Sequence, residues 1–236
     1  TNNTANANGY DGLEVLGSSS DNRIRTNDAS HNYHKGMSFR SGNNTYVFNN
    51  TVTFNGGGGI RISGWAAPVD NISLVYNTIS HNGQDTVNFS NPGARNGIRI
   101  STTTNATISG NRVCNNSDSG IKLDSSTNNS IYNNYFSNTY NAYDDNGTNT
   151  WDIAKTPGTN IIGGPYLGGN YWSDYTGEDL VDTDRLGDTL LPYNSSGNIT
   201  TGGDWLPLVT GVRNSNTGKW YVSIQAAIDA ASEGDT

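Results

Sequence analysis

The chain has 236 residues, a formal net charge of −8, one Cys, one Met and only 32% hydrophobic residues. Asn (36), Thr (26), Ser (24) and Gly (29) make up close to half of it. No apolar run approaches membrane-spanning length, one Cys excludes a disulfide framework or a multi-cysteine metal site, and the acidic balance excludes the basic face of a nucleic-acid binder.

Polarity this high suggests disorder, but 13 Tyr, 5 Trp and 5 Phe punctuate it, and the apolar residues recur in register. Gly12-Leu13-Glu14-Val15, Gly36-Met37-Ser38-Phe39, Gly59-Ile60-Arg61-Ile62, Gly97-Ile98-Arg99-Ile100 and Gly120-Ile121-Lys122-Leu123 share one template. A second column holds Asn27, Asn50, Asn77, Asn111, Asn134 and Asn170. Three residues before each Asn stands Ile24, Val47, Leu74, Ile108, Ile131 or Leu167, and two after it Ala29, Val52, Ile79, Val113, Phe136 or Trp172. Fixed-period self-similarity marks a solenoid, and short period-two stretches mark strands. The expected fold is all-β: a right-handed parallel β-helix over residues 1–210, followed by a linker and short amphipathic helix over 211–236. Stacked coils carry the apolar ladders inside. The Asn column is expected to supply left-handed turn residues and side-chain ladders, and the template Gly a similar turn.

One coil is longer, with an extra segment near 83–96 carrying Asp85, Phe89, Pro92 and Arg95. Such insertions become loops that leave one face, here a candidate contact surface. The outward template positions give a column of Glu14, Ser38, Arg61, Arg99 and Lys122. Arg61, Arg99 and Lys122 form a candidate face for carboxylates of a glycan or partner, opposed by the reading that neighbours such as Asp124 offset them.

Past Asn134 comes Trp151-Asp152-Ile153, then Gly168-Gly169-Asn170-Tyr171-Trp172-Ser173-Asp174-Tyr175, an Asp-rich Gly187-Asp188-Thr189 loop and Leu206-Pro207-Leu208. In these motifs, over roughly residues 10–210, the sequence resembles the NosD-like β-helix proteins, described as periplasmic copper-binding, and their relatives on the surfaces of methanogenic archaea. The resemblance implies a right-handed parallel β-helix and an extracytoplasmic location, and little about activity.

Asp179, Asp182, Asp184 and Asp188 are four carboxylates within ten residues, with Gly187 allowing a sharp turn. Hard cations such as Ca²⁺ take about six to eight closely spaced oxygens, so this loop is a candidate Ca²⁺ clamp, weighed against a solvated acidic turn. No organic cofactor is implied. At the end, Ile224, Ala227, Ile228 and Ala231 follow helical spacing with Gly234 beyond. That segment resembles the helix opening pectin-lyase-like β-helices. It suits either a piece of a longer tandem protein or a helix covering the next copy, which would build open filaments.

No acid–base pair emerges: Asp144 and Asp145, adjacent in a strand, would point to opposite sides. For copper, His31 and His81 share a column with Phe54 between them, about 9.6 Å apart at two strand spacings, while His34, Met37 and Cys114 occupy other columns. Eleven Asn-x-Ser/Thr sequons, among them Asn43, Asn71, Asn105, Asn128, Asn194 and Asn198, exceed the roughly eight expected by chance only slightly. The sequence thus points to a non-catalytic extracellular structural protein, a module of an archaeal cell-surface layer, sheath or fibre. Its expected partners are further copies or neighbouring β-helix modules and a cell-wall glycan, with neither nucleic acid nor a membrane span. The alternatives are a carbohydrate-binding or polysaccharide-cleaving β-helix and, behind it, a copper-site maturation factor.

Overall fold

The computed structural model of the chain describes residues 1–236 apart from 18, 65–67, 89–93, 146–147, 182–183, 218–219, 222–223 and 233–236. Phe89, Pro92, Asp182 and Gly234 therefore lie outside the described residues. Three parallel sheets run the length of a right-handed parallel β-helix. The first has six strands, Leu13–Leu16, Met37–Arg40, Ile60–Ser63, Ile98–Ser101, Ser119–Asp124 and Tyr140–Asp144. The second has Arg23–Arg25, Tyr46–Phe48, Ser73–Val75, Thr107–Ser109 and Ser130–Tyr132. Thr51–Thr53, Thr78–Ser80, Arg112–Cys114, Tyr135–Ser137 and Tyr171–Trp172 make the third.

Register follows the sequence columns. Met37, Ile60, Ile98 and Ile121 are successive partners in the first sheet, and Val52, Ile79, Val113, Phe136 and Trp172 in the third. All are essentially buried, each large side chain contributing about 1.5–3 kcal/mol on burial. The second-sheet column departs from expectation at its end. Thr150, not a residue near Leu167, bridges Ser130, so Trp151 follows Ile131 in the core, and Leu167 sits in a separate antiparallel pair with Thr156.

The Asn column is buried and forms a continuous hydrogen-bonded ladder. Asn111 Oδ1 accepts from the backbone N–H (2.9 Å) and Nδ2 (3.0 Å) of Asn77. Its own Nδ2 donates to Leu74 O (2.7 Å) and to Asn134 Oδ1 (2.9 Å). The pattern runs from Asn3 through Asn27, Asn50, Asn77, Asn111 and Asn134 to Asn170. A second ladder, not anticipated, runs through Asn8, Asn32, Asn55, Asn82, Asn116 and Asn138. Every link donates toward the C-terminal coil, so each ladder ends on donors that need an acceptor. Carboxyl oxygens accept, and the structure supplies an aspartate at each end. Asp204 Oδ2 takes Asn170 N at 2.7 Å. Asp174 Oδ1 takes Asn141 Nδ2 at 2.6 Å, Asn141 itself continuing from Asn138. A short third ladder, Asn129 to Asn149, ends on Asp144.

Two expectations about turns are corrected. The ladder Asn residues are not the left-handed ones; in most coils the residue before is. Thr26, Asn49, Tyr76 and Asn133 have φ of 51–56°, and His31, Phe54, His81 and Asn115 have φ of 54–57°. The side chain that must point inward to join the ladder follows a reversal of the backbone, which falls on the residue before it. The template glycines, in turn, answer to crowding. A Cβ on Gly59 would lie 2.5 Å from Gly97 O and 2.7 Å from Ile79 Cγ2, and one on Gly97 2.6 Å from Asn116 Nδ2.

Beyond the coils, Val212–Arg213 pairs antiparallel with Trp220–Tyr221, and a helix spans Ile224–Asp229. Ala227 is buried, whereas Ile224 and Ile228 are 66% and 59% exposed.

Replacing Asn111 by Ala removes partners from Asn77, Leu74 and Asn134 at once. At about 1–3 kcal/mol per unsatisfied buried group, chemical denaturation should show a loss of about 3 kcal/mol or more, against less than about 0.5 kcal/mol for the exposed Thr78→Ser. Gly59→Ala should cost about 1–3 kcal/mol by overpacking; an unchanged midpoint would refute the crowding account. Burial raises the Asp204 pKa to about 7 against the opposing hydrogen bonds from Asn170, Trp172 and Leu206. Its proton is thus held more tightly folded than unfolded, and the stability this gives is complete below about pH 4 and lost as pH rises through 7. The stability difference between wild type and Asp204→Asn should therefore shrink, or turn against the wild type, from pH 4 to pH 8.

Candidate functional site

The outer face of the first sheet gathers the charged side chains. Strand register places Ser38, Arg61, Arg99, Lys122 and Tyr143 in one outward column, so the three basic residues singled out in the sequence do share a face. Their environments differ. Arg99 Nε donates to Asp124 Oδ2 at 2.7 Å, and Lys122 Nζ lies 3.5 Å from Asp124 Oδ1 and 4.5 Å from the Tyr143 ring centre. Asp124 therefore offsets two cations. Arg61 is half-buried, and among the described residues its Nε has no hydrogen-bond partner. Burial first, then the neighbouring Arg99 charge, pushes its pKa down. A small cavity beside it is lined by Lys35, Gly58, Arg61, Ala94, Asn96 and Arg99. Ala94 and Asn96 come from the extra segment of the long coil, which thus walls this face.

A cluster that the columns did not reveal sits next to Arg61. Asp11, with a side chain almost wholly buried, accepts from the Lys35 backbone N–H at 3.0 Å and lies 2.6 Å from His34 Nδ1. Lys35 Nζ is 2.9 Å from His34 Nδ1 and 3.7 Å from Asp11 Oδ1. Burial chiefly, then the Lys35 charge, lowers the His34 pKa against the pull of Asp11, so the ring is neutral at pH 7. Farther along the face, Asp118, Ser119, Lys122, Tyr140, Tyr143 and Asn198 line a cavity of about 150 Å³. Tyr140 and Tyr143 come from the strand after the last template copy, which is why the template missed them.

The Asp-rich loop is stitched to its own backbone. Asp179 Oδ2 accepts from Arg185 N at 2.7 Å, Asp184 Oδ1 from Leu186 N at 2.7 Å, and Asp188 Oδ2 from Leu180 N and Val181 N at 2.6 and 2.8 Å. Asp184 also pairs with Lys155. Asp182 lies outside the described residues, and among those described no three His, Cys, Asp or Glu side chains converge. Gly187 does not supply the sharp turn expected of it. The left-handed residue is Arg185, and a Cβ on Gly187 would strike the Tyr175 hydroxyl at 2.1 Å.

His31, Phe54 and His81 stack as one surface ladder, with ring centres 5.2 and 4.7 Å apart. Phe54 between them keeps the two imidazoles from sharing an ion. Met37 is fully buried in the core, Cys114 is a buried thiol whose pKa burial raises, and His34 belongs to the Asp11 cluster. These residues form no copper ligand set. Asp144 points inward, bonded by Asn149, while Asp145 outside accepts from Ser125 N.

Among the sequons, Asn71, Asn105 and Asn128 occupy one exposed left-handed turn column, with Asn43 one residue before its equivalent Asn44. They lie a coil apart, at about 4.8 Å, so glycans on neighbouring coils would compete for the same space. Asn194 accepts from Gly197 N and Asn198 donates to Ser195 O in a short surface turn.

Among solved structures, the Azotobacter vinelandii mannuronan C-5 epimerase AlgE6 A-module superposes with a TM-score of 0.54 at 21% identity. The match covers 63% of this chain and 42% of that one, and it establishes a shared fold. No curated protein matches the sequence. Residues 1–177 match the family described as periplasmic copper-binding protein (NosD). With the ladder geometry behind it, that match over most of the chain makes this protein a member of the NosD family of β-helix proteins.

Proposed function

We propose that this chain is a rigid, non-catalytic module of an archaeal cell-surface layer, sheath or fibre, working outside the cytoplasm. The observation that supports this best is the unbroken pair of Asn ladders, which ties every coil from Asn3 to Asp204 to the next through buried side chains. A rod so stitched resists local opening, because a coil cannot separate without stranding buried donors. The family description and the absence of any described helix long and apolar enough to cross a membrane fit this setting. Exposed Ile224 and Ile228 on the terminal helix favour head-to-tail contact with a further module. Copper carriage is not part of the proposal, since His31, His81, His34, Met37 and Cys114 do not converge.

A second reading, polysaccharide cleavage, has one observation in its favour: the His34–Asp11 pair beside Lys35 and Arg61.

Electron microscopy of concentrated protein should show filaments or sheets. The Ile224→Glu/Ile228→Glu variant should disperse them without lowering the melting temperature, since both side chains are exposed. Dispersed wild-type particles at all concentrations would remove the assembly role, and scission of an acidic polysaccharide that is lost in Arg99→Ala would remove the non-catalytic one. Cu(I) and Cu(II) titrations should be indistinguishable between wild type and His31→Ala/His81→Ala.

A further inference from the structure

The sequence contains five Asn-Gly pairs: Asn8-Gly9, Asn55-Gly56, Asn82-Gly83, Asn96-Gly97 and a fifth at 146–147, outside the described residues. Asn followed by Gly is the pairing most prone to lose its side-chain amide. Glycine has no Cβ to hinder attack by its own nitrogen on the Asn carbonyl carbon, and its backbone turns freely. The attack needs a Gly N–H that is not held by a hydrogen bond, an Asn side chain able to rotate onto it, and water to carry the protons.

The fold withholds all three from three of the four described pairs. Gly56 N donates to Asn32 O, Gly83 N to Asn55 O and Gly97 N to Ser119 O, each at 2.9 Å. Asn55, Asn82 and Asn96 are 0%, 0% and 2% exposed. Asn55 Oδ1 accepts from Asn32 Nδ2 at 3.0 Å, while its Nδ2 donates to Asn82 Oδ1 at 2.8 Å. Asn82 passes the link to Asn116 at 3.0 Å, and Asn96 Oδ1 accepts from Ser119 Oγ at 2.6 Å. The fourth pair differs. Asn8 and Gly9 are both exposed, no described residue accepts from the Gly9 N–H, and a Cβ on Gly9 would meet nothing within 4 Å. The Asn8 side chain is held at one point, by Nδ2 donating to Asn32 Oδ1 at 2.9 Å.

We propose that Asn8 is a site of spontaneous deamidation and that the fold shields Asn55, Asn82 and Asn96 from the same reaction. Water takes the Gly9 amide proton, the nitrogen bonds to Asn8 Cγ, and the Cγ–Nδ2 bond breaks as ammonia leaves with a proton returned by water. The five-membered imide so formed adds water at one carbonyl or the other and opens to an aspartyl or an isoaspartyl residue. Water is the co-reactant, and nothing is oxidised or reduced. Either product replaces the Nδ2 donor by oxygens that face Asn32 Oδ1, acceptor against acceptor. The isoaspartyl form also routes the backbone through Cβ, which takes the Asn8 carbonyl out of the main chain, where it accepts from Tyr33 N at 2.9 Å. Both changes loosen the turn that brings Asp11 to His34.

The test is prolonged incubation of the chain in mildly alkaline buffer, followed by peptide mapping with mass spectrometry and chromatographic separation of aspartyl from isoaspartyl peptides. Both products should accumulate at residue 8. Asn55, Asn82 and Asn96 should convert at least about a hundredfold more slowly, since they react only when the coils open. In concentrated urea, where no coil is held, the four should convert at similar rates. Gly9→Ala should slow conversion at Asn8 several-fold and leave the melting temperature unchanged, because the added methyl meets open space. Four results would each overturn the proposal: no conversion at Asn8 while the unfolded chain reacts to completion, equal rates at Asn8 and a shielded Asn in the folded chain, an aspartyl product alone at residue 8, or a lead for Asn8 that persists in urea.

Discussion

The structure rests on a one-way chain of amide hydrogen bonds. An Asn side chain carries an acceptor oxygen and two donors, and in the interior coils, as at Asn111, the oxygen receives two N–H groups from the coil before, while Nδ2 bonds both the coil after and a backbone carbonyl behind. All capacity is used, which a buried amide requires. Because the links share one direction, the ladders need an acceptor at the C-terminal end, and Asp204, Asp174 and Asp144 stand there. The closing segment is in this sense a chemical terminator for the ladders as well as an apolar lid of Trp151, Trp172 and Tyr193.

The same ladders explain a conformation that would otherwise be expensive. Bulky residues at positive φ are rare and cost of order 1–3 kcal/mol unless the surroundings over-determine them. Phe54, Tyr76, His31 and His81 all adopt it. Each precedes a ladder Asn whose bonds fix the turn, and three of the four recover further contact by stacking on one another. What looks in the sequence like an incomplete metal column is therefore a by-product of turn geometry.

The inward columns were legible because strand alternation and a constant coil period leave few registers, and the basic column followed from the same arithmetic. The second Asn ladder was legible in principle: Asn32, Asn55, Asn82 and Asn116 each follow a first-ladder Asn by five residues. Among 36 Asn that offset did not stand out. The role of the template Gly was misread because period alone cannot separate a turn from a close approach; only the distances to Ile79 and Asn116 do so. The Asp11–His34–Lys35 cluster and the Tyr140–Tyr143 cavity were not legible, since turns and a strand outside the template assemble them. Asp204 was unreadable as a terminator, because an irregular segment separates it from Asn170.

If the ladders hold the fold, their side-chain amide protons should be among its slowest. Hydrogen–deuterium exchange followed by NMR on the Asn77 and Asn111 Nδ2 protons measures this directly. The account predicts that they exchange only through global unfolding, as slowly as the backbone amides of Ile79 and Val113. Exchange within minutes, while those backbone amides remain protected, would show that the ladders open independently and do not hold the coils together.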